Sequence, residues 1–285
     1  MKITVIGLGL IGGSMALDLK ARGFCSYVIG IDTNPEHCRQ AIALSLADET
    51  FSSIEGRDFK PLQSEVVIIS IPVTETARLL PWILDHIGEN TVVMDVGSTK
   101  NEICKVIKKH PKRIQFVGTH PIAGTENSGP SAATKNLFDN KICILSVDDS
   151  ALWVVERVSE LYEALNMKLL FMKAEEHDKH VAYVSHLSHI SSFALATTVL
   201  EMEKNSSTIF DLAGSGFAST VRLAKSSPDM WAPIFEHNSK NISKALGTYI
   251  KHLERFRKYI DSGNTKATRE IMEKANVIRK VLDKK

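Results

Sequence analysis

Short apolar runs and helical patterns alternate along the first 172 residues of the chain. Seven runs are rich in β-branched and other apolar residues, and stretches with apolar positions three or four residues apart separate most of them. Continuous apolar strands that alternate with helices predict a parallel β-sheet covered by helices on both faces. The predicted strands are KITVIG (2–7), YVIGID (27–32), VVIISIP (66–72), TVVMDV (91–96), IQFVG (114–118), KICILSV (141–147) and MKLLFM (167–172).

The pattern changes after Lys173, where the β-rich runs stop. Long stretches with helical spacing follow, and they are interrupted only by the Gly-containing segments LAGSGF (212–217) and DSGN (261–264). Such breaks mark turns between helices. We therefore predict an α/β domain over residues 1–172 and an all-α domain over residues 173–285.

The composition is that of an ordinary globular protein. The chain has 285 residues, 44% of them hydrophobic and 24% charged, with a net charge of +2, and this length suits about two domains. The charge gives no indication of nucleic acid or a membrane surface as a partner, and the basic stretch 251–285 is typical of solvated helix faces. The four cysteines form no CxxC pair, and no apolar run suits a signal or membrane segment. A reducing, cytoplasmic setting is expected.

A glycine-rich loop follows the first predicted strand. In GLGLIGGS, Gly7, Gly9 and Gly12 fill the G-x-G-x-x-G pattern, and a helical run opens directly behind them. The glycines allow a tight turn and a close approach of a diphosphate to the helix N-terminus, where Leu10 and Ile11 belong to the same binding segment. Asp32 ends the second strand, 20 residues after Gly12, where its carboxylate can bind ribose hydroxyls and repel a 2′-phosphate. The α/β domain is therefore predicted to be a Rossmann-type domain that binds NAD rather than NADP.

Hydride transfer requires a group that handles the matching proton, and His120 is the candidate base. It lies in GTHPIAGTENSG (118–129), which we interpret as a loop at a strand end, because Pro121 has no amide hydrogen for a sheet ladder. Ligands bind outside the carboxyl ends of strands in open α/β sheets. An imidazole there, with an ordinary pKa near 6.5, can accept a proton from an alcohol.

The other histidines fit less well. Those at positions 37, 86, 110, 237 and 252 lie among charged or helical surface positions and are expected to be solvated. His177, His180, His186 and His189 raise the alternative of a metal site. On one continuous α-helix they would point at about 0°, 300°, 180° and 120° and could not converge on one ion, so no metal is predicted. His180 and His186 are equally compatible with hydrogen-bonded positions between domains.

Three separated segments resemble the corresponding blocks of prephenate dehydrogenases, the tyrosine-pathway enzymes. They are HPIAGTENSG followed by LF (137–138), MKAEEHDKHVAYVSHLSH (172–189) and GFASTVRLAKSSPDMW (216–231). The resemblance implies NAD-dependent oxidative decarboxylation of prephenate to 4-hydroxyphenylpyruvate by a homodimer built through its helical domain.

The resemblance also implies roles for individual residues. His120 would accept the proton of the ring hydroxyl, and Ser98 would orient that histidine or the hydroxyl. Arg222 would bind a substrate carboxylate, a role that suits its planar guanidinium. Glu126, His177 and His189 match polar residues of a network that closes the substrate pocket and influences inhibition by L-tyrosine.

The chain departs from the family pattern in two of these blocks. Ser219 replaces the usual aspartate three residues before Arg222, and Ala218 replaces the preceding polar residue. The usual gating salt bridge is therefore expected to be absent or rebuilt with Glu126. Ser188 replaces a common proline, a change that affects only the geometry expected of the local helix.

Several functions remain open on the sequence alone. Arogenate dehydrogenase, or a cyclohexadienyl dehydrogenase that accepts both substrates, is the nearest alternative. The β-hydroxyacid dehydrogenases also combine a Rossmann domain with helices but rely on a catalytic lysine and lack the three blocks. A non-catalytic NAD-binding regulatory protein is the alternative of another class, although His120, Ser98 and Arg222 are all present.

Overall fold

The fold was described from a computed structural model, which covers residues 1–54, 60–203 and 209–283. The chain divides into two compact units, Met1–Ser239 and Lys240–Lys285. None of the described helices combines the length and the apolar composition that crossing a bilayer requires. All four cysteines are free thiols, and Cys25, Cys38 and Cys143 are buried.

The first unit contains one eight-stranded sheet. Its strands are β1 (Lys2–Ile6), β2 (Tyr27–Ile31), β3 (Glu49–Phe51), β4 (Val66–Ile69), β5 (Val92–Asp95), β6 (Phe116–Pro121), β7 (Ile142–Ser146) and β8 (Lys168–Phe171). Their order in the sheet is β3-β2-β1-β4-β5-β6-β7-β8. Every neighbouring pair is parallel except β6 and β7, which are antiparallel.

Helices cover both faces of this sheet, as the sequence pattern predicts. The helices of the first unit are α1 (Leu10–Ala21), α2 (Pro35–Ala43), α3 (Val73–His86), α4 (Asn101–Val106), α5 (Leu152–Ala164), α6 (Ala174–Val181), α7 (Leu187–Glu203), α8 (Ser215–Val221) and α9 (Pro228–His237). One core cluster packs α1 and α5 against the sheet, and a second contains side chains of α3, α4 and α9. Neighbouring residues of one strand belong to different clusters, because side chains alternate across a strand. Ile68, for example, lies in the first cluster and Val67 in the second.

All seven predicted strands are present, but β6 and β7 differ from expectation. The prediction of a wholly parallel sheet is wrong at β6 and β7, which pair in opposite directions. The interpretation of residues 119–121 as loop is also wrong, since β6 continues to Pro121. β5 pairs with β6 only as far as Gly118, and β7 alone pairs with Thr119, His120 and Pro121. Because Ile122 donates its amide to Ile142 and antiparallel bonds alternate, the proline nitrogen faces the side where β5 has ended.

The eighth strand, β3, was not predicted. It has three residues at the edge of the sheet, and such a length is too short for a periodic signal.

The second unit consists of helices. α10 (Ser239–Asp261) begins at the boundary and is followed by α11 (Thr265–Ala275) and the short α12 (Arg279–Leu282). Asn264 caps α11 by accepting a hydrogen bond from the Ala267 amide at 3.0 Å.

The compact units do not divide the chain at the predicted boundary near residue 172. Trp231 and Ile234 of α9 belong to the second core cluster, together with side chains of β4 and α3. The first unit therefore extends to Ser239 because helices after residue 172 share its core. The domain boundary at residue 172 stays a prediction.

Candidate active site

The predicted site residues of the α/β region lie along one edge of the sheet. Parallel strands bring their carboxyl ends to the same edge. Gly7 follows β1, Asp32 follows β2, Ser98 lies three residues after β5, and His120 is the second-last residue of β6. A ligand lying along this edge could therefore meet all four positions.

The glycine loop has the geometry of an anion-binding turn. Gly7 has φ of 93°, and a Cβ there would lie 2.2 Å from the Ser70 carbonyl oxygen. A Cβ at Gly12 would lie 2.1 Å from the Gly7 carbonyl oxygen, whereas a Cβ at Gly9 would meet no described atom within 4 Å. Gly7 and Gly12 thus hold the turn closed, and open space lies over Gly9.

The helix start behind this loop has the donors that a diphosphate needs. Gly9 is the N-cap of α1, and it provides no side chain to cap the helix. The first amides of an α-helix, here including those of Leu10 and Ile11, have no intrahelical partner and lie at the positive end of the helix dipole. The loop and helix start therefore fit a dinucleotide diphosphate.

Asp32 is held at the end of β2 by three donors. Its carboxylate accepts hydrogen bonds from the amides of Leu8 at 3.0 Å and Asn34 at 2.9 Å. His37 Nδ1 lies 3.3 Å from the same carboxylate. The His37 side chain is 33% exposed and therefore only partly solvated, because α2 begins at Pro35 and turns the imidazole back onto Asp32. About four acceptor positions belong to a carboxylate, so capacity for ribose hydroxyls remains.

His120 begins a hydrogen-bonded chain of three side chains. Its Nδ1 lies 2.8 Å from Nε2 of His177, and Nδ1 of His177 lies 2.8 Å from a carboxylate oxygen of Asp178. His177 and Asp178 are buried on α6. Both ring nitrogens of His177 therefore have protein partners, so its predicted contact with substrate would have to be indirect.

Burial keeps the two linked imidazoles neutral near pH 7. It lowers the pKa of His120 well below its usual value of 6.5, and the neighbouring His177, Lys100 and His186 lower it further. Burial also lowers the pKa of His177, although the hydrogen bond to Asp178 opposes this shift. A neutral imidazole has a free lone pair, which a proton acceptor requires.

Ser98 follows β5, the strand beside β6, and none of the described hydrogen bonds joins it to His120, His177 or Asp178. The residue is half-buried. The segment that contains it is fixed at Lys100, whose buried ammonium pairs with the buried carboxylate of Asp95. The Lys100 amide also donates to Asp178 at 2.8 Å.

Arg222 and Glu126 form an ion pair on the open side of this region. Arg222 Nη1 lies 3.8 Å from a carboxylate oxygen of Glu126, and the two side chains are 56% and 39% exposed. Ser219 is exposed on α8, one turn before Arg222. Arg222 is therefore paired with Glu126 in the absence of the usual aspartate, and a gating role for this pair stays a prediction.

His189 lies on an aromatic platform near Arg222. Its ring stacks on Trp231 with centroids 3.5 Å apart, and its Nδ1 lies 3.0 Å from the Ser185 carbonyl oxygen. Burial lowers the pKa of His189, and the positive charge of Arg222 lowers it further. His186, by contrast, is fully buried and accepts a hydrogen bond from the Asn238 amide at 3.2 Å, and His180 is exposed.

The assumption of one continuous α-helix through these histidines is wrong. A π-helical turn, Ala182–His186, separates α6 from α7. One extra residue in a turn rotates all later residues back by about 100°, which brings His189 to within about 20° of the direction of His177. Even so, the described residues contain no group of three or more His, Cys, Asp or Glu side chains arranged so that they could hold a metal ion.

Residues that sequence reasoning missed complete the site. The sequence does not mark Asp178 and Lys100 as site residues, because a charged residue in a polar helix or after a strand has no distinguishing pattern. Trp231 ends the third family block, and its spacing does not mark it as a site residue. The contact of Asp178 with Lys100 joins residues 78 positions apart, and Trp231 stacks on His189 from another helix, which no spacing rule reveals.

Comparison with known proteins identifies the family. The profile described as "Prephenate dehydrogenase, nucleotide-binding domain" matches residues 15–171, and "Prephenate dehydrogenase, dimerization domain" matches residues 173–274. Prephenate dehydrogenase of Bacillus subtilis is 34% identical over 271 residues, which cover 92% of this chain and 71% of the relative. Cyclohexadienyl dehydrogenase of Zymomonas mobilis is 30% identical over 264 residues, 91% of this chain and 88% of the relative.

A solved structure agrees with these matches. The crystal structure of prephenate dehydrogenase from Aquifex aeolicus in complex with hydroxyphenyl propionate and NAD+ superposes with a TM-score of 0.88 at 30% identity. The match covers 99% of this chain and 98% of that one. The predicted fold class, a Rossmann-type α/β domain followed by an all-α domain, and the predicted enzyme class are thereby confirmed. The chain belongs to the prephenate dehydrogenase family of enzymes.

Proposed function

We propose that this enzyme catalyses the NAD-dependent oxidative decarboxylation of prephenate to 4-hydroxyphenylpyruvate. The observation that carries the proposal is the environment of His120. Its Nδ1 is bound to His177, and no described residue forms a hydrogen bond to its Nε2. A neutral imidazole with one free nitrogen at the carboxyl edge of the sheet is suited to accept the proton of a substrate hydroxyl.

The reaction needs one base and recognition of a dianion. The ring hydroxyl of prephenate loses its proton to His120 Nε2, and hydride leaves the ring carbon that bears this hydroxyl. Bound NAD supplies the hydride acceptor. The ring carboxylate departs as carbon dioxide, and its electron pair completes the aromatic ring as a phenolate. This oxygen takes the proton back from His120 to give the hydroxyl of 4-hydroxyphenylpyruvate. Positioning and anion binding are the remaining tasks of the protein.

The cofactor proposal rests on the glycine loop and Asp32. Open space over Gly9 and the uncapped start of α1 suit a diphosphate, and the Asp32 carboxylate disfavours the 2′-phosphate of NADP. An NAD+ complex is known for the Aquifex aeolicus relative, which supports the same choice.

Substrate recognition is assigned to the open side of the site. Arg222 is exposed enough to exchange Glu126 for a substrate carboxylate, because a pair at 3.8 Å in solvent is weak. His189 borders the same region, since the positive charge of Arg222 lowers its pKa. It is proposed as a substrate-binding residue, with Ser98 orienting the hydroxyl or His120. The same network is the proposed location for an inhibitory effect of L-tyrosine.

Assembly through the helical region completes the proposal. We assign residues 1–172 to cofactor binding and residues 173–285 to substrate binding and homodimer formation, a division supported by the two family profiles. Large apolar side chains are exposed in the helical part of the first unit, including Val184 at 78%, Leu200 at 54% and Leu212 at 84%. Exposed apolar side chains of this kind are typical of protein interfaces.

The test is a steady-state comparison of prephenate and arogenate with NAD, followed at 340 nm. Arogenate carries an ammonium and a carboxylate where prephenate has a keto acid, so it needs an additional acceptor beside Arg222. We expect the larger kcat/KM with prephenate. An equal or larger kcat/KM with arogenate would establish arogenate or cyclohexadienyl dehydrogenase activity instead, the alternative favoured by similarity to the Zymomonas mobilis enzyme.

A further inference from the structure

Asp178 lies where two hydrogen-bonded segments meet. Its side chain is 2% exposed, and one carboxylate oxygen lies 2.8 Å from both His177 Nδ1 and the Lys100 amide nitrogen. The other oxygen accepts from the Asn101 amide at 3.0 Å. The carboxylate thus joins α6 to the start of α4.

This geometry determines which nitrogen of each imidazole bears a proton. An ionised carboxylate only accepts hydrogen bonds, so His177 must carry its proton on Nδ1. The Nε2 of neutral His177 is then an acceptor. His120 must therefore donate from Nδ1, and the lone pair of its Nε2 is left for the substrate.

We infer that Asp178 and His177 are positioning residues that fix His120 as the Nδ1-protonated tautomer and orient its Nε2 toward the substrate hydroxyl. The inference rests on the proposed role of His120 and adds the two residues that make that role possible. Neither residue needs to contact the substrate.

The same contacts also stabilise the product of proton transfer. Once Nε2 of His120 has accepted a proton, the ring is an imidazolium with N–H groups at both positions. Its Nδ1–H continues to donate to His177, whose dipole is oriented by the Asp178 carboxylate. The positive charge is therefore stabilised with no further proton transfer along the chain.

A second consequence concerns the segment that contains Ser98. Asp178 holds the Lys100 and Asn101 amides, while the Lys100 ammonium is paired with Asp95 at the end of β5. The backbone from Asp95 to Asn101 is thereby fixed at both ends. One carboxylate consequently positions both Ser98 and His120 relative to the same edge of the sheet.

The tautomer can be measured directly on the intact chain labelled with 15N-histidine. Protonated and unprotonated ring nitrogens have well-separated 15N resonances, and the His120 signals are identified by their loss in His120→Asn. We expect Nδ1 of His120 to be protonated and Nε2 to be unprotonated near pH 7. Protonation at Nε2 in the unsubstituted protein would overturn the inference without any further variant.

Variants at His177 connect this tautomer to catalysis. His177→Leu removes the acceptor, so His120 should lose its Nδ1-protonated preference and kcat should fall about 10- to 100-fold, the range for residues that orient a functional histidine. KM should change little, because His177 lies behind His120. His177→Gln retains an acceptor oxygen and should recover part of both properties.

His180→Leu is the matched control, since His180 is exposed three residues later on the same helix. It should leave both the tautomer and kcat unchanged. A His177→Leu protein that folds and retains the wild-type tautomer and kcat would refute the positioning role.

Failure of this inference differs from failure of the proposed function. His120→Asn should lower kcat by about 10²- to 10⁴-fold if His120 is the base. Near-normal turnover by His120→Asn would remove that base assignment, while the tautomer would still be readable. Absence of turnover with prephenate would likewise leave the NMR measurement valid.

Discussion

Arg222 is held loosely, in contrast to the buried groups around His120. Its guanidinium is more than half exposed, and Glu126 at 3.8 Å is its ion-pair partner. Exposed pairs at such a distance contribute little to stability, because solvent screens the attraction and both side chains lose rotamer freedom. The pair is therefore a weak contact that a substrate carboxylate can replace.

Substitution of Arg222 should affect substrate binding more than chemistry. Arg222→Ala removes a two-pronged cation that takes no part in the proton transfer, so KM for prephenate should rise by about 10-fold or more while kcat changes little. The free energy of unfolding should stay within about 0.5 kcal/mol of wild type, as expected for an exposed position. Initial-rate measurements over a range of prephenate concentrations, together with urea unfolding, check both values.

Arg157→Ala is the matched control for this prediction. Arg157 is 40% exposed and pairs with Glu160 on α5, so its loss also removes one exposed ion pair but lies outside the proposed site. An unchanged KM in Arg222→Ala, or the same rise in Arg157→Ala, would remove Arg222 from substrate recognition.

Individual site residues could be selected from the sequence only where a motif carries the chemistry. His120 and Arg222 lie in distinctive segments and could be named. The contact between His120 and His177 joins residues 57 positions apart, and Asp178 has no feature of its own in the sequence. Its role follows only from the three groups that the fold brings together around its carboxylate.

At the level of elements, apolar periodicity predicted seven strands but not the direction of β7. Pairing direction depends on how the chain returns to the sheet, and an apolar run has the same composition in either direction. The π-helical turn Ala182–His186 was missed for a similar reason. One extra residue in a turn changes which side chains face inward without altering the helical composition.

The glycine loop allows a prediction that separates folding from cofactor binding. Gly12→Ala places a methyl group 2.1 Å from the Gly7 carbonyl oxygen, so the loop must shift, and unfolding should be easier by about 1–3 kcal/mol. Gly9→Ala places the methyl group in open space. Residue 9 has a negative φ of −72°, which alanine can adopt. The variant should keep near-wild-type stability but weaken NAD binding, because the methyl group occupies the path of the diphosphate.

Urea unfolding and calorimetric titration with NAD measure the two effects in parallel. Gly23→Ala is unsuitable as a control because its φ is positive, whereas Gly247→Ala adds a methyl group to open space on α10 and should leave NAD affinity unchanged. Wild-type NAD affinity in Gly9→Ala would contradict the placement of the diphosphate over this loop.

For the whole molecule, the buried imidazoles predict a loss of stability in mild acid. Burial lowers the pKa of His186 to about 4, and the pKa values of His120 and His177 are also lowered. Below about pH 6.5 the unfolded chain binds protons that the folded chain does not, so the free energy of unfolding falls as pH decreases from about 6.5 toward 4. The stabilisation is fully present above that window.

His186 alone should account for about 2 kcal/mol of this loss between about pH 6.5 and about pH 5. His186→Phe retains an aromatic ring against Trp231, whose centroid lies 5.8 Å away, but cannot bind a proton. Urea unfolding at a series of pH values should therefore show a shallower decline for His186→Phe than for wild type, whereas exposed His180→Phe should retain the wild-type slope. Identical slopes in wild type and His186→Phe would mean that His186 takes up its proton without unfolding. The acid sensitivity would then belong to His120 and His177.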